Sequence, residues 1–491
     1  MRSSLGRGLR PGVLGTFDTV VMAVAGTAPA YSIAAATAVL AGAVGVAGPA
    51  ALLYCVLPML GIVIAFGRLG RLDVSAGAAY AWVGRTLHPF LGFLSGWALV
   101  VSTTLFMVAG SLPAGAMTLA LFDPGLAADR VLATAVGAGW FLLMLLVVLG
   151  GIRMTVRAQL LLSGVELALL AGFVTAALVR GGGGASFDWS WFGFAHFDGA
   201  SQFASGALIA TFCFWGWDVT SNLSEETRDG RRTAGLAALI GVGVVFVLFE
   251  AFTIAVHTTL TAEQIHASGS QVLSTLGEAV WPGTGGQLLV LAVLLSTVAT
   301  LETTLIQVTR SLFAMGRDRT MPAALGTVHR RRGTPWVAVA AVGTVALVLF
   351  AASAVFGTVG EVLSAAVAAI GLQIAFYYGL AGIAAVVAYR RTLLRSVREF
   401  LLGGVWPLAG ALFMLWIFFE SLGGLSGASV AIGLGGLAAG VVPLVVHRRR
   451  GSTYYRPGPR LDASRAAGAD DGGRPGAAHP YRPDRTLATD Y

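Results

Sequence analysis

The stretch VVMAVAGTAPAYSIAAA, residues 20–36, decides how this chain reads. It is apolar almost throughout, yet Gly26, Thr27 and Pro29 stand at its centre. Proline has no amide hydrogen and its ring crowds the carbonyl one turn back, so a helix is expected to open there. A second stretch, FCFWGWDVTSNLSEE at 212–226, repeats the pattern, with Gly216 between Trp215 and Trp217 and Asp218 beside them. Both interruptions lie inside runs approaching the ~20 apolar residues that cross a bilayer. At that depth backbone can leave the helix only where it faces protein or a wet cavity.

Working outward, the whole chain has the same character. Its 491 residues have a mean hydropathy of +0.79, and only 11% are charged. A soluble domain carries about 25%, so a water-exposed globular surface is excluded. Twelve spans are expected, at 15–41, 47–67, 89–120, 131–151, 158–179, 203–223, 234–256, 287–314, 335–352, 360–388, 402–421 and 426–446. Residues 1–12 precede them. The run GGGGASFDWSWFGFAHFDG after Arg180 reads as an outer loop without fold of its own, and 451–491 as a disordered tail rich in Pro, Gly, Arg and Asp.

The net charge of +8 suggests nucleic acid, but placement explains it. All 32 basic residues are Arg, and most sit in the connections between spans or in the end segments. Arg2, Arg7 and Arg10 precede the first span, Arg68, Arg71 and Arg85 follow the second, and Arg153 and Arg157 follow the fourth. Arg228, Arg231 and Arg232 follow the sixth, Arg317, Arg319 and Arg330 to Arg332 the eighth, and Arg390, Arg391, Arg395 and Arg398 the tenth. Arg448 to Arg450 follow the twelfth, whereas the opposite loops hold only Arg130 and Arg180. This asymmetry puts both termini in the cytoplasm, and an odd number of spans would scramble it. The first apolar run goes on to span, so no cleavable signal is expected. Cys55 and Cys213 fall inside spans, which argues against a disulfide framework, and the histidines lack ligand spacing. No cofactor or metal is expected.

Glycine and proline are common in membrane helices, and either break alone fits a simple kink. Interruptions at matching places in two halves are the mark of a central substrate site in inverted-repeat transporters. Here they fall in spans one and six, which implies repeats of five spans each: 13–179 and 203–388, with 402–447 outside them. Glu166, Asp218, Glu250 and Glu302 lie inside apolar runs. Each must face a partner, a cavity or an ion path, because a lone carboxylate at the bilayer centre costs at least ~2.5 kcal/mol. Asp218, bordering the break, suits an amine. Glu166 suits the same cavity as a proton carrier or second cation ligand, and Glu302, near Thr300, Thr303 and Thr304, suits the path. A structural hydrogen bond is the competing account of each, and the favoured one for Glu250. Phe214, Trp215 and Trp217 can occlude a solute or sit over a cation, or simply pack. Glu225 and Glu226 end span six and are expected to pair with loop arginines and close that side.

The stretches GWDVTSNLSEETRDGRR at 216–232, TRSLFAMGRDRTMPAALGTVHRRRGTP at 309–335 and GIRMTVRAQLLLSGVE at 151–166 carry a resemblance. The chain resembles bacterial permeases of the amino acid–polyamine–organocation superfamily over about Val13 to Arg448. The resemblance implies an all-α polytopic membrane protein with the five-plus-five inverted-repeat fold and twelve transmembrane helices. It also implies a substrate carboxylate held by amides of Gly26, Thr27 and Ala28. The amine would be held at Trp215, Gly216, Trp217 and Asp218, with Trp217 where relatives carry an aromatic gate. Two departures stand out. AGTAPA replaces the usual glycine-rich pattern, and Glu166 stands where some proton-coupled relatives carry Lys.

The expected function is secondary active transport of amino acids across a bacterial plasma membrane by alternating access. The alternatives are transport of polyamines or cationic amino acids, ion-independent exchange, and a membrane sensor that moves nothing. The expected partners are a small amine-bearing solute and the lipid bilayer, with proton coupling first, sodium coupling left open by Ser296 and Thr297, and no nucleic acid. With no nucleotide-binding loop and no nucleophile beside a base, neither ATP drive nor enzyme chemistry is expected.

Overall fold

A computed structural model describes residues 8–355, 359–424, 426–456 and 460–464. In the first half the helices are α1 (Thr16–Gly26), α2 (Pro29–Val44), α3 (Gly48–Leu72), α4 (Ala79–Thr86), α5 (Pro89–Ala120), α6 (Arg130–Gly150) and α7 (Ile152–Arg180). In the second they are α8 (Ala200–Phe212), α9 (Gly230–Thr259), α10 (Gly285–Arg317), α11 (Trp336–Val355), α12 (Val359–Tyr389), α13 (Trp406–Gly424) and α14 (Gly427–Ala439). The protein is an all-α, multi-pass membrane protein: among the described residues nine stretches are long and apolar enough to cross a bilayer.

The difference from twelve falls at three places. Residues Thr16–Leu72 count as one stretch but contain α1, α2 and α3, the expected first and second spans. The expected sixth span is a 13-residue α8, a non-helical break and the single turn Val219–Asn222. The expected ninth corresponds to α11, Trp336–Val355, of which Trp336–Ala351 has described side chains and is apolar.

Helix α10 is the spine. It packs on α1, α2, α5, α6, α7 and α11, and 83% of its most apolar window is buried, against 22% for 427–449. That explains how STVATLETTLIQVTRS can be a membrane helix: its polar side chains meet protein, not lipid. Several satisfy themselves locally, as when Thr297 and Thr309 hydroxyls donate to the Val293 and Leu305 carbonyls.

Two segments expected to lack fold are ordered where described. In the loop after α7, Trp189–Phe192 and Phe194–His196 form 3-10 turns, the first capped by the Asp188 carboxylate. Trp191 is buried there, so burial of aromatic rings outweighs the entropy of the glycines. In the tail, the Tyr454 ring stacks on Tyr80 at 4.8 Å and its hydroxyl donates to the Tyr80 carbonyl. Asp462 pairs with Arg391 at 3.0 Å, and the Ser464 hydroxyl and Arg391 hold its carboxyl below the usual range. The rest of the tail, 465–491, and residues 1–7 lie outside the described residues.

Candidate functional site

The first break forms where the sequence predicts it. Helix α1 ends at Gly26, Thr27 is its C-cap, and Ala28 adopts a left-handed conformation (φ 48°, ψ 63°) before Pro29 opens α2. Proline suits that first position because its missing amide would be unpaired there anyway. A non-glycine residue at positive φ stores strain and persists only where surroundings hold it.

The second break runs from Cys213 to Asp218, with Gly216 at φ 97°. The two breaks touch backbone to backbone. A Cβ on Gly26 would lie 2.3 Å from the Gly216 carbonyl oxygen, and one on Gly216 would lie 1.9 Å from the Gly26 oxygen. Only residues without a side chain allow that approach.

The amides at the first break are not free. Thr27 N–H donates to the Val24 carbonyl and Ala28 N–H to Ala25. Pro29 has none, Ala30 N–H donates to Glu166 Oε1 at 3.0 Å, and Tyr31 N–H donates to the Ser296 hydroxyl at 3.3 Å. The start of α2, where unpaired amides and the helix dipole favour an anion, is thus occupied by a carboxylate of the chain itself. Glu166 Oε2 is buried without a partner among the described residues. Thr300 ties the same region to α10 by donating to the Ala25 carbonyl at 2.7 Å.

Asp218 belongs to a different group. It is buried and accepts hydrogen bonds from the Tyr377 and Tyr378 hydroxyls of α12, each at 3.0 Å. Trp215 Nε1 donates to Tyr377 at 3.1 Å. Trp217 Nε1 donates to the Phe214 carbonyl, and its ring packs against Phe66 and Tyr378. Phe214 packs edge-on to Phe249, and Trp215 edge-on to Phe106. All three rings are buried and frame the break. Asp218 and Glu166, expected to share one cavity, have no common partner. Glu302 is fully buried, with neither carboxylate oxygen paired among the described residues.

At the arginine-rich end a polar layer joins span six to α10. Glu225 pairs with Arg317 at 3.0 Å, Arg317 being the last residue of α10, and also accepts from the Ala76 amide. Glu226 takes a partner the sequence reading passed over. Arg310, inside the eighth span, binds it through two donors at 2.9 and 3.3 Å, with both side chains 1% exposed. Asn222 adds bonds to the Ala76 carbonyl and Ser311, and the Glu226 carbonyl accepts from Val13 and Leu14. Nothing local in the sequence marks Tyr377 and Tyr378 as partners of Asp218, whereas an arginine within an apolar span, Arg310, is a visible signal.

Relatives give this geometry a context. Residues 28% identical to the low-affinity putrescine importer PlaP of Escherichia coli cover 61% of this chain and 66% of that protein. The human b(0,+)-type amino acid transporter 1 is 24% identical over 61% of this chain and 62% of its own length. The chain thus spans just under two thirds of each. An uncharacterized transporter of Mycobacterium tuberculosis is 27% identical over 89% of this chain and 92% of its own. A family model described as amino acid permease matches residues 14–446, and the chain belongs to that family.

Proposed function

We propose that this permease moves a small organic cation, an amine without a carboxylate, across a bacterial plasma membrane by alternating access around the two touching breaks. Membership of the permease family supports transport of a small solute. The observation that carries the narrower reading is the capped start of α2: Glu166, Ser296, the preceding turn and Pro29 together leave no amide from Thr27 to Tyr31 for a solute carboxylate. Asp218 keeps capacity for an ammonium, since each oxygen has two lone-pair directions and each tyrosine takes one. The putrescine importer among the relatives agrees with that chemistry.

Around this site the twelve-span, five-plus-five arrangement with cytoplasmic termini remains the reading that best fits the arginine distribution. The pairs Glu225–Arg317 and Glu226–Arg310 close the cytoplasmic side in this state. Glu166, through Oε2, unpaired among the described residues, and Glu302 are the groups for proton coupling. No covalent step is involved.

The test is uptake of putrescine and alanine into proteoliposomes, with and without an inward proton gradient, by the wild-type chain and Asp218→Asn. Saturable putrescine uptake that Asp218→Asn abolishes is expected, with little alanine uptake. Alanine uptake alone would overturn the cation reading and favour the amino acid one, which the family description and the human relative support.

A further inference from the structure

Glu250 is a buried carboxylate that the transport route does not use. It sits on α9 with 8% exposure, and neither of its oxygens has a partner among the described residues. The hydrogen bond expected for it from the sequence is not found among the described residues. It lines a cleft of ≈ 670 Å³ whose other walls include Leu53, Leu178, Phe187, Phe192, Phe246 and Ile254. Glu250 is the one ionisable residue in that lining, and neither break contributes to it.

The depth of the cleft says what it meets. Helix α9 starts at Gly230, beside Arg231 and Arg232, and Glu250 lies twenty residues on. At ~1.5 Å per residue that is about 30 Å, the thickness of a bilayer's hydrocarbon core. The apolar run continues to Val256, six residues or about 9 Å further, so Glu250 stands in the outer part of the span, within reach of the far headgroups and next to the end of α7. The aromatic loop walls the site: Ala185 N–H donates to the His257 carbonyl, and Trp191 packs on the His257 ring and against Phe187. At the rim, Val247 is 63% exposed and Leu178 45%, an apolar track facing outward.

We propose that this cleft binds an aminophospholipid, with the primary ammonium of the headgroup on Glu250 and an acyl chain along Val247 and Leu178. An unpaired carboxylate in apolar walls calls for a cation. The walls call for one with an apolar body, and the depth supplies lipid headgroups. Phosphatidylcholine carries an ammonium without N–H and cannot donate to Glu250; phosphatidylglycerol carries no cation.

The experiment is native mass spectrometry of the full chain in micelles with equal phosphatidylethanolamine, phosphatidylcholine and phosphatidylglycerol, with octylamine as a separate competitor. Wild type should retain phosphatidylethanolamine over phosphatidylcholine by about tenfold, the scale of one charge-assisted hydrogen bond. Glu250→Gln, which keeps the side-chain volume, should erase the preference. Ala251→Phe, which fills the cleft and leaves the carboxylate, should remove the bound lipid. Equal retention of the lipids, or a preference unchanged in Glu250→Gln, overturns the proposal. Binding of octylamine with no retained phosphatidylethanolamine overturns the lipid as occupant.

Discussion

Gly26 and Gly216 hold the two breaks together through the absence of side chains. Gly216 carries a second constraint, its φ of 97°, a region that costs other residues roughly 1–3 kcal/mol. Gly26→Ala meets the carbonyl opposite without backbone strain, whereas Gly216→Ala meets both the clash and the strain. Both variants are expected to unfold earlier than wild type on heating in detergent, Gly216→Ala earliest. A Gly216→Ala midpoint equal to wild type would show that the contact is dispensable.

At the scale of elements, the junction of span six with α10 contains two ion pairs of opposite value. Glu225–Arg317 is partly exposed, at 20% and 36%, and a pair of that kind contributes about 0–1 kcal/mol. Glu226–Arg310 is sealed, and removing one partner strands a charge at a cost of about 3–5 kcal/mol. Arg310→Met is therefore expected to be strongly destabilising, Glu225→Gln nearly neutral, and the double change Arg310→Met with Glu226→Leu largely restored. Unfolding of the four proteins in mixed micelles measures this. A double variant no better than Arg310→Met would mean that packing, not charge, sets the cost.

At the scale of the molecule, the tail straps several elements at the arginine-rich end. Tyr454 sits against Gly84 of α4, Ser452 donates to the Asp318 carbonyl after α10, and Asp462 reaches Arg391 after α12. Tyr80 beneath it bonds Asp318 and Thr320. Tyr454→Ala should speed amide exchange across 79–86 and leave the exchange of 285–310 unchanged. Unaltered exchange in α4 would show that the strap bears no strain.

The sequence by itself determined the membrane class, the two breaks and the roster of acidic residues inside apolar runs. These follow from local chemistry: a proline without a donor, a glycine without a Cβ, and a composition too poor in charge to face water. Tertiary structure alone decided the partners. Glu166 meets an amide 136 residues away, Asp218 meets tyrosines 159 and 160 residues on, and Glu226 meets Arg310. Hydrophobic periodicity says that such groups are buried but carries no record of what faces them. That is why the sequence could place Glu166 and Asp218 near the breaks but could not name the different partners each one meets. A buried charge must be matched, yet which helix supplies the match depends on how the whole bundle closes.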